Sequence, residues 1–386
     1  MIKCIVVVPA IAQEASGPSY SVPRLCQGLV DQGVSVELFT NDLALTKTYP
    51  FPVNCFSTAG PFANRLGRSP AMFAGLKKRI NEVDIVHNNS LWMMANVYPG
   101  LVVRGSTCSL VTSPRGTLSS WALKRARLRK RLMWLLGQRM SLQRAKCIHA
   151  TSEAEYADVR RLGLRQPVAI IPNGIDLPVI SNAPMRPAHT NCTKTKKRLL
   201  YLGRVHPVKA LDQLVRAWEL LGDSTCEWEL RIVGPGEAVH VEALRTQVEN
   251  SGTSNIFLGN ALFGDEKSRE YLKASAYVLP SHSENFAMTV AEALAHGLPC
   301  VVSKGAPWSG LANHQCGWWV DNDTDSLARS LMQLIKTPPE ELSRMGLRGR
   351  SWIERDFGWD AIVTQMKQVY TWIRYSTARP DCIRID

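Results

Sequence analysis

Long hydrophobic runs and paired cysteines are both missing from this 386-residue sequence. No stretch approaches the roughly 18 consecutive apolar residues that a membrane-spanning helix needs, which argues against a transmembrane protein. The ten cysteines form no C-x-x-C pair and several lie in apolar runs, so we interpret them as buried side chains in a reducing compartment. With 45% hydrophobic and 20% charged residues, the composition also excludes a disordered, collagen-like or coiled-coil chain.

Acidic residues are scarce relative to basic ones. The sequence holds 33 Asp and Glu against 46 Lys and Arg, which gives a formal net charge of +13. Such a chain is expected to bind anionic partners: nucleic acid, phosphorylated small molecules or an anionic lipid surface. No nucleic-acid-binding motif occurs, so a basic nucleic-acid-binding protein is the weaker alternative.

No metal site is predicted. The eight histidines show no metal-ligand spacing. The segment Asp321-Asn-Asp323 could chelate a divalent cation, but it directly precedes a helical pattern, where Asp is expected to cap the helix.

Short apolar runs alternate with amphipathic stretches in both halves of the chain, which predicts an α/β fold of parallel strands with crossover helices. Residues 178–197 interrupt the alternation with three prolines and many small or polar residues, and are interpreted as a linker. We therefore predict two doubly wound domains, residues 1–177 and 198–358, facing across a cleft. Ligands are expected in that cleft, beyond the carboxyl ends of the strands.

A loop in the second half carries the first phosphate-directed signal. Gly203 permits a tight turn after a buried strand, Arg204 offers a guanidinium fork, and Lys209 adds a point charge. The loop suits a diphosphate. Two solvated surface cations are the alternative interpretation.

The second signal is a polar loop that leads into a helix starting near Phe286. Unpaired N–H groups at a helix start attract an anion. Glu284 lies just before the helix, and Glu292 lies about 7–8 Å further along at about 1.5 Å per residue. The two carboxylates are therefore interpreted as separate hydroxyl acceptors, not as a proton-sharing glycosidase pair. Two structural glutamates are the alternative.

Four motifs, spread over nearly the whole chain, resemble the signature of glycosyltransferase family 4. They are the E-x7-E pair Glu284 and Glu292, the loop Gly203-Arg204…Lys209, Asn173-Gly-Ile-Asp176 and Gly317-Trp-Trp-Val320. The resemblance implies a GT-B fold, with residues 359–386 packing back on the first domain. It also implies a retaining hexosyltransferase that uses a nucleotide-diphosphate sugar, a UDP-sugar in preference to a GDP-sugar, without a cofactor or metal.

The resemblance further implies roles for individual residues. Arg204 and Lys209 would bind the diphosphate, and Glu284 would hold the donor sugar; these three are the catalytic candidates. Glu292 would hold the ribose. The other donor-binding positions are Gly17, Gly203, Gly234, Leu262, Asn285, Phe286 and Ala287.

Some positions depart from the family pattern. Ser16, Ala210 and Ala287 stand where Gly is more usual, and the Ala287 methyl group is expected to narrow the approach of phosphate or sugar. Arg115 stands where many members carry a histidine. Together with His87 and His149, Arg115 is a candidate for contacting the acceptor. The alternative for the two histidines is a satisfied position at the end of a strand.

Residues 122–146 carry nine Lys and Arg and no acid. Leucines recur at helical spacing over Trp121–Leu142, which predicts an amphipathic helix on an anionic membrane surface. A core-packed helix with a solvated face is the alternative. The membrane-surface candidates are Lys124, Arg125, Arg127, Arg129, Lys130 and Arg131.

The resemblance and the basic segment together favour one function. It is transfer to a polyprenyl-diphosphate-linked glycan acceptor, on the cytoplasmic face of the inner membrane, in bacterial lipopolysaccharide, O-antigen or exopolysaccharide synthesis. A catalytically silent GT-B scaffold that only binds nucleotide-sugar is the alternative within the same fold.

Overall fold

The chain divides into two compact units, of which the first comprises Met1–Gly174 and Trp359–Asp386 and the second Ile175–Gly358. The computed structural model describes residues 1–12, 17–43, 45, 47–60, 66–179 and 196–385. Ser16 and most of the predicted linker 178–197 lie outside the described residues.

The first unit is built on an eight-stranded sheet. Its strands are β1 (Lys3–Val7), β2 (Ser35–Thr40), β3 (Val53–Cys55), β4 (Ile85–Asn89), β5 (Ser109–Ser113), β6 (Cys147–Ala150), β7 (Val168–Ile170) and the C-terminal β14 (Ile383–Arg384). Their order is β14-β7-β6-β5-β4-β1-β2-β3. All neighbours pair in parallel except β14, which is antiparallel to β7.

Helices cover both faces of this sheet. They are α1 (Gly17–Asp31), α2 (Pro70–Arg79), α3 (Met94–Val102), α4 (Ser120–Lys124), α5 (Arg127–Met133), a π-helical turn (Trp134–Gln138), α6 (Arg139–Gln143), α7 (Glu153–Arg161) and the C-terminal α15 (Trp359–Tyr375). Two buried hydrophobic clusters belong to this unit, and β1 contributes alternate residues to each, because successive strand side chains point to opposite faces.

The second unit is a six-stranded, fully parallel sheet in the order β10-β9-β8-β11-β12-β13. Its strands are β8 (Lys197–Leu202), β9 (Trp228–Val233), β10 (Ile256–Gly259), β11 (Ala276–Leu279), β12 (Cys300–Ser303) and β13 (Gly317–Val320). Its helices are α8 (Leu211–Leu221), α9 (Ala238–Asn250), α10 (Gly264–Lys273), α11 (Met288–Ala295), α12 (Gly310–Asn313), α13 (Thr324–Lys336) and α14 (Pro339–Phe357). The strand order reverses between β8 and β11, and such a switch point is where doubly wound sheets bind ligands.

The predicted α/β fold with parallel sheets is confirmed, and the differences are local. Strands β3 and β14 and helices α3 and α12 were not predicted. The single helix expected over Trp121–Leu142 is wrong, because the chain is broken at Ala126, whose φ is 49°, and again at Gly137, whose φ is 129°. Among the described helices, none combines the length and apolar character needed to cross a membrane.

Helix α15 packs in the first unit although it follows the second along the chain. Ile362, Met366 and Val369 of α15 lie in the same buried cluster as residues of α1. The two helices approach closely at Gly28, where an added Cβ would lie 2.4 Å from the Val363 Cγ2 atom. Valine is stiff at χ1, so a methyl group at residue 28 forces the helices apart.

We therefore expect Gly28→Ala to destabilise the protein. Overpacking costs about 1–3 kcal/mol, which exceeds the gain of up to about 1 kcal/mol in helix propensity. The midpoint of thermal unfolding should fall by several degrees. Gly17→Ala is the matched control in the same helix, because nothing lies within 4 Å of a Cβ at Gly17; equal midpoints for the two variants would contradict the packing argument.

Candidate functional site

The loops after β8 and β11 lie side by side at the switch point of the second unit. The backbone N–H of His282 donates to the Val208 carbonyl at 2.8 Å. Lys209 of the first loop forms an ion pair with Oε1 of Glu284 in the second. The sequence assigned these side chains to one site, and the structure joins them directly.

Glu284 is held from three sides. Besides the Lys209 ammonium group, the Ser281 hydroxyl donates to its Oε1 at 2.7 Å, and its own N–H donates to the Gly305 carbonyl at 2.7 Å. The Lys209 and Glu284 side chains are only 14% and 13% exposed. The carboxylate is therefore fixed in place, and the ammonium charge is already balanced.

Arg204 differs from Lys209 in its surroundings. The residue is exposed, and no hydrogen bond or ion pair of its guanidinium group is found among the described residues. Its backbone carbonyl accepts from the buried Tyr201 hydroxyl at 2.8 Å, which fixes the backbone beneath the side chain. Arg204 is thus the cation of this loop whose charge is still available to a ligand.

Helix α11 begins at the same place without a side-chain cap. Ala287 occupies its N-cap position, and Asn285 and Phe286 precede it. The alanine side chain accepts no hydrogen bond from the first turn, so the N-cap residue leaves the positive end of the helix to another acceptor. The indole N–H of Trp308 donates to the Phe286 carbonyl at 2.5 Å and fixes the approach to the helix.

Two of the positions where the family more often has Gly adopt left-handed backbone. Ala210 has φ 50° and Ala287 has φ 66°. An alanine costs about 1–2 kcal/mol in this region, whereas glycine adopts it without steric cost. The departure at these two positions therefore places strain in both loops of the site.

Ala210→Gly should accordingly stabilise the second unit, by about 0.5–1 kcal/mol once the larger entropy of unfolded glycine is subtracted. Chemical denaturation measures the change. Ala217→Gly, inside helix α8, is the control of opposite sign and should destabilise by about 1 kcal/mol. Loss of stability in both variants would refute the strain at Ala210.

Glu292 lies on α11, one turn beyond Met288. Its Oε1 pairs with the Lys267 ammonium group at 2.6 Å, and its Oε2 accepts from the Tyr271 hydroxyl at 2.8 Å. The structure shows no contact between Glu292 and Glu284 among the described residues. The predicted separation of the two carboxylates agrees with this geometry.

A row of buried tyrosines underlies the site. Tyr201 supports the Arg204 backbone, Tyr277 donates to the Thr289 hydroxyl at 2.7 Å, and Tyr271 holds Glu292. Burial raises the pKa of all three phenols well above the usual value, so they act as neutral donors. Sequence reasoning missed them, together with Lys267 and Ser281. The available signal was that the hydroxyl group of a buried tyrosine needs a hydrogen-bond partner.

The glycine-containing loops of neighbouring strands pack tightly beside the first loop. A Cβ at Gly234 would lie 1.9 Å from the Gly203 carbonyl oxygen, and Gly234 has φ 152°. The Gly234 N–H donates to Gly259 at 3.5 Å. Leu262, three residues after Gly259, is partly buried and packs against the core of the second unit. Gly234 and Leu262 are two of the predicted donor-binding positions, and that role stays a prediction.

Asp323 is the N-cap of α13, where its Oδ1 accepts from the Ser326 N–H at 2.8 Å. The capping interpretation of this aspartate is confirmed.

The other site candidates belong to the first unit, and Gly17 is the first residue of helix α1. Arg115 lies beyond β5, where its guanidinium donates to Oδ1 of Asn89 at 2.9 and 3.1 Å and to Oδ1 of Asn173 at 2.6 Å. Burial lowers the Arg115 pKa to about 10, which leaves it charged at neutral pH. Glu155 stabilises the same region by accepting from the N–H groups of Gly116 and Thr151.

His87 and His149 are both buried within strands. His87 lies inside β4 with no exposed surface, since the strand continues to Asn89, and its Nδ1 is 2.7 Å from the Tyr370 hydroxyl. His149 lies in β6, 2% exposed, with its ring centroid 5.5 Å from that of His87. Both rings are therefore covered in this structure, and their contact with a sugar acceptor stays a prediction.

Burial, together with the nearby Arg115 charge, lowers the pKa of both histidines: well below the usual value for His87 and to about 3 for His149. The unfolded chain therefore binds more protons below about pH 6.5, and stability is lost as the pH falls from there. His149 should cost about 2 kcal/mol at pH 5, and His87 should add to the loss.

We expect His149→Gln to flatten this loss when urea unfolding is compared at pH 7.5 and pH 5. His240→Gln, at a half-exposed position in the second unit, is the control and should keep the wild-type slope. If His149→Gln loses as much unfolding free energy between pH 7.5 and pH 5 as the wild type, His149 is not a cause of the acid sensitivity.

The basic segment is exposed, as its membrane-surface interpretation requires. Lys124, Arg125, Arg127, Arg129 and Arg131 are exposed and Lys130 is partly buried. Leu128 and Leu135 are 82% and 83% exposed, whereas Met133 and Leu142 of the same segment are buried in the core. The segment thus packs one side into the core and exposes cations and leucines on the other, and contact with a membrane stays a prediction.

Comparisons with known proteins agree with this architecture. Two family models match the chain, "Glycosyltransferase Family 4" over residues 15–178 and "Glycosyl transferases group 1" over residues 186–352. The D-inositol 3-phosphate glycosyltransferase of Streptomyces scabiei is 26% identical over 392 residues, which cover 93% of this chain and 86% of that protein.

Solved structures share the fold at low sequence identity. Anabaena Alr3699/HepE in complex with UDP and glucose superposes with a TM-score of 0.74 at 15% identity, covering 96% of this chain and 100% of that one. WaaG, a glycosyltransferase involved in lipopolysaccharide biosynthesis, gives a TM-score of 0.70 at 14% identity with the same coverage.

The two doubly wound units and their solved neighbours define the class as the GT-B fold. Together the two family models match all but the termini and a short stretch between residues 178 and 186. The chain is a glycosyltransferase of the GT-B fold.

Proposed function

We propose that the protein is a retaining hexosyltransferase that uses a nucleotide-diphosphate sugar, UDP in preference to GDP, as donor. The observation that carries the proposal is the convergence of Arg204, the Lys209–Glu284 pair and the uncapped start of α11 at one switch point. Positive groups of this kind match a diphosphate, and HepE, which shares the fold, is described with UDP and glucose bound.

The chemistry asked of the site is charge stabilisation. When the bond between the sugar and the diphosphate breaks, negative charge builds on the leaving oxygen, and Arg204 and the α11 N–H groups would receive it. The Lys209 ammonium group, whose charge Glu284 already balances, would contribute a remaining N–H donor. Glu284, fixed by Ser281 and Lys209, would accept hydrogen bonds from sugar hydroxyls. The acceptor would enter on the same face as the leaving group, so no enzyme nucleophile is required.

Glu292 would bind the ribose hydroxyls. Lys267 and Tyr271 orient its two oxygens, and each oxygen retains a lone pair that can accept from a hydroxyl. This role requires no change in the contacts that the structure shows.

A lipid-linked acceptor is favoured by the exposed basic segment. Each Lys or Arg near an anionic leaflet contributes about 1 kcal/mol, and an exposed leucine adds apolar contact. We therefore place the protein on the cytoplasmic face of the bacterial inner membrane, acting in the synthesis of lipopolysaccharide, O-antigen or exopolysaccharide on a polyprenyl diphosphate. WaaG provides a precedent of lipopolysaccharide synthesis in the same fold.

Arg204→Ala should lower the turnover rate by about 100-fold or more, the loss typical of deleting a transition-state donor. A screen of UDP-, GDP- and dTDP-sugars for release of nucleoside diphosphate first identifies the donor, and the variant is then measured on it. Arg216→Ala, an exposed arginine on α8, is the charge-matched control and should keep full activity. Near-normal turnover in Arg204→Ala would refute the assignment. Calorimetric binding of UDP without turnover of any donor would instead support the silent scaffold.

A further inference from the structure

An open cavity of about 430 Å³ lies beside the π-helical turn of the first unit. Its apolar lining consists of Trp92, Leu123, Trp134, Leu135 and Leu162. Ligand pockets in proteins commonly occupy about 300–1,000 Å³, so the space is sufficient for part of a small molecule. An apolar surface that stays open to solvent has a free-energy cost unless another molecule covers it.

Cations complete the lining. Arg127, Lys130 and Arg131 all border the cavity. Lys130 lies over the Trp92 ring, 5.7 Å from its centroid, and donates to the Ala122 carbonyl, so its ammonium group is fixed next to the apolar wall. The fitting ligand therefore combines a hydrocarbon part with a strongly anionic part, which excludes a free sugar.

The breaks in the predicted helix produce this cavity. The left-handed Ala126 separates α4 from α5, so that Leu123 of one and Leu135 beyond the other face a common space. The π-helical turn carries Trp134 to 6.2 Å from Trp92, centroid to centroid. A continuous α-helix would place these side chains differently, so the irregular backbone and the cavity belong together.

We propose that this cavity binds the isoprenoid chain of a polyprenyl diphosphate, with Arg127, Lys130 and Arg131 binding the diphosphate group. The proposal deepens the proposed function, on which it rests for the lipid-linked acceptor. One cavity accommodates one chain, whereas a bilayer phospholipid carries two. Three cations match the charge of a diphosphate better than that of a single phosphodiester.

Farnesyl diphosphate is the probe, titrated calorimetrically below its micelle concentration. Leu135→Ser and Arg131→Ala change residues that line the cavity, and Leu136→Ser and Arg129→Ala change neighbours that do not. All four side chains are exposed, so the variants should fold. We expect each lining variant to lose about tenfold or more in affinity and each control to bind like the wild type.

Two further titrants identify the binding determinants. Inorganic diphosphate lacks the chain and should bind at least about tenfold more weakly than farnesyl diphosphate. Vesicles of phosphatidylglycerol should be bound equally by Leu135→Ser and Leu136→Ser. Absence of farnesyl diphosphate binding, or equal losses in lining and control variants, would overturn the cavity proposal and leave only a general membrane-contact surface.

UDP binding and donor turnover, measured on the same variants, keep the two proposals separable. If the wild type turns over the donor but does not bind farnesyl diphosphate, the cavity proposal is refuted and the proposed function stands. If the protein binds farnesyl diphosphate but turns over no nucleotide-sugar, the proposed sugar transfer is refuted. The cavity would then be the lipid-binding site of a catalytically silent scaffold.

Discussion

The ion pair between Lys209 and Glu284 determines how the second unit presents its candidate site. It links the loops that follow β8 and β11, the strands between which the order of the sheet reverses. Both side chains are mostly buried, so removing either would leave the other uncompensated at a cost of several kcal/mol. The loops are therefore held together before any ligand arrives, and binding need not supply the free energy of assembling them.

This pairing also decides which positive groups remain for a ligand. The charge of Lys209 is balanced by Glu284, whereas the exposed Arg204 and the uncapped start of α11 have no such partner among the described residues. Glu284 is an acceptor, fixed in orientation by Ser281. The same few residues thus offer hydrogen-bond donors to an anion and an acceptor to hydroxyl groups. A sugar phosphate carries both kinds of group.

The sequence was sufficient for the fold class, because strand and helix periodicities are local and the strands of both units are mostly apolar. It failed where local signals mislead. Pro99 and Gly100 are helix-breaking residues, yet both lie inside α3. Gly100 is needed there for close packing, because a Cβ added at this position would lie 2.4 Å from the Ser141 Cα atom. The left-handed turn at Ala126 has no sequence signal at all, because alanine is the strongest helix former.

The candidate site was predictable to the same degree. Its two loops were identified from motifs, but the Lys209–Glu284 contact joins residues far apart in the chain. Beneath it, Tyr201 and Tyr277 look like ordinary strand residues and Tyr271 like an ordinary helix residue. His87 shows the opposite error, because an estimate that ended β4 two residues early placed a buried ring at the end of the strand. Moving the end of the strand by two residues leaves the His87 side chain on the same face of the sheet. It changes the position from an exposed strand end to a buried strand interior.

Arg115 shows how one departure from the family pattern changes its surroundings. A neutral imidazole could share a proton with its neighbours, but a guanidinium is a permanent cation and can only donate. Asn89 and Asn173 accordingly turn their oxygens toward it, so the Asn173-Gly-Ile-Asp176 motif acts in this chain partly as a support for Arg115. The same charge opposes protonation of His87 and His149. The first unit thus has a fixed positive charge, Arg115, beyond β5, and two histidines behind it whose pKa is lowered by burial first and by that charge second.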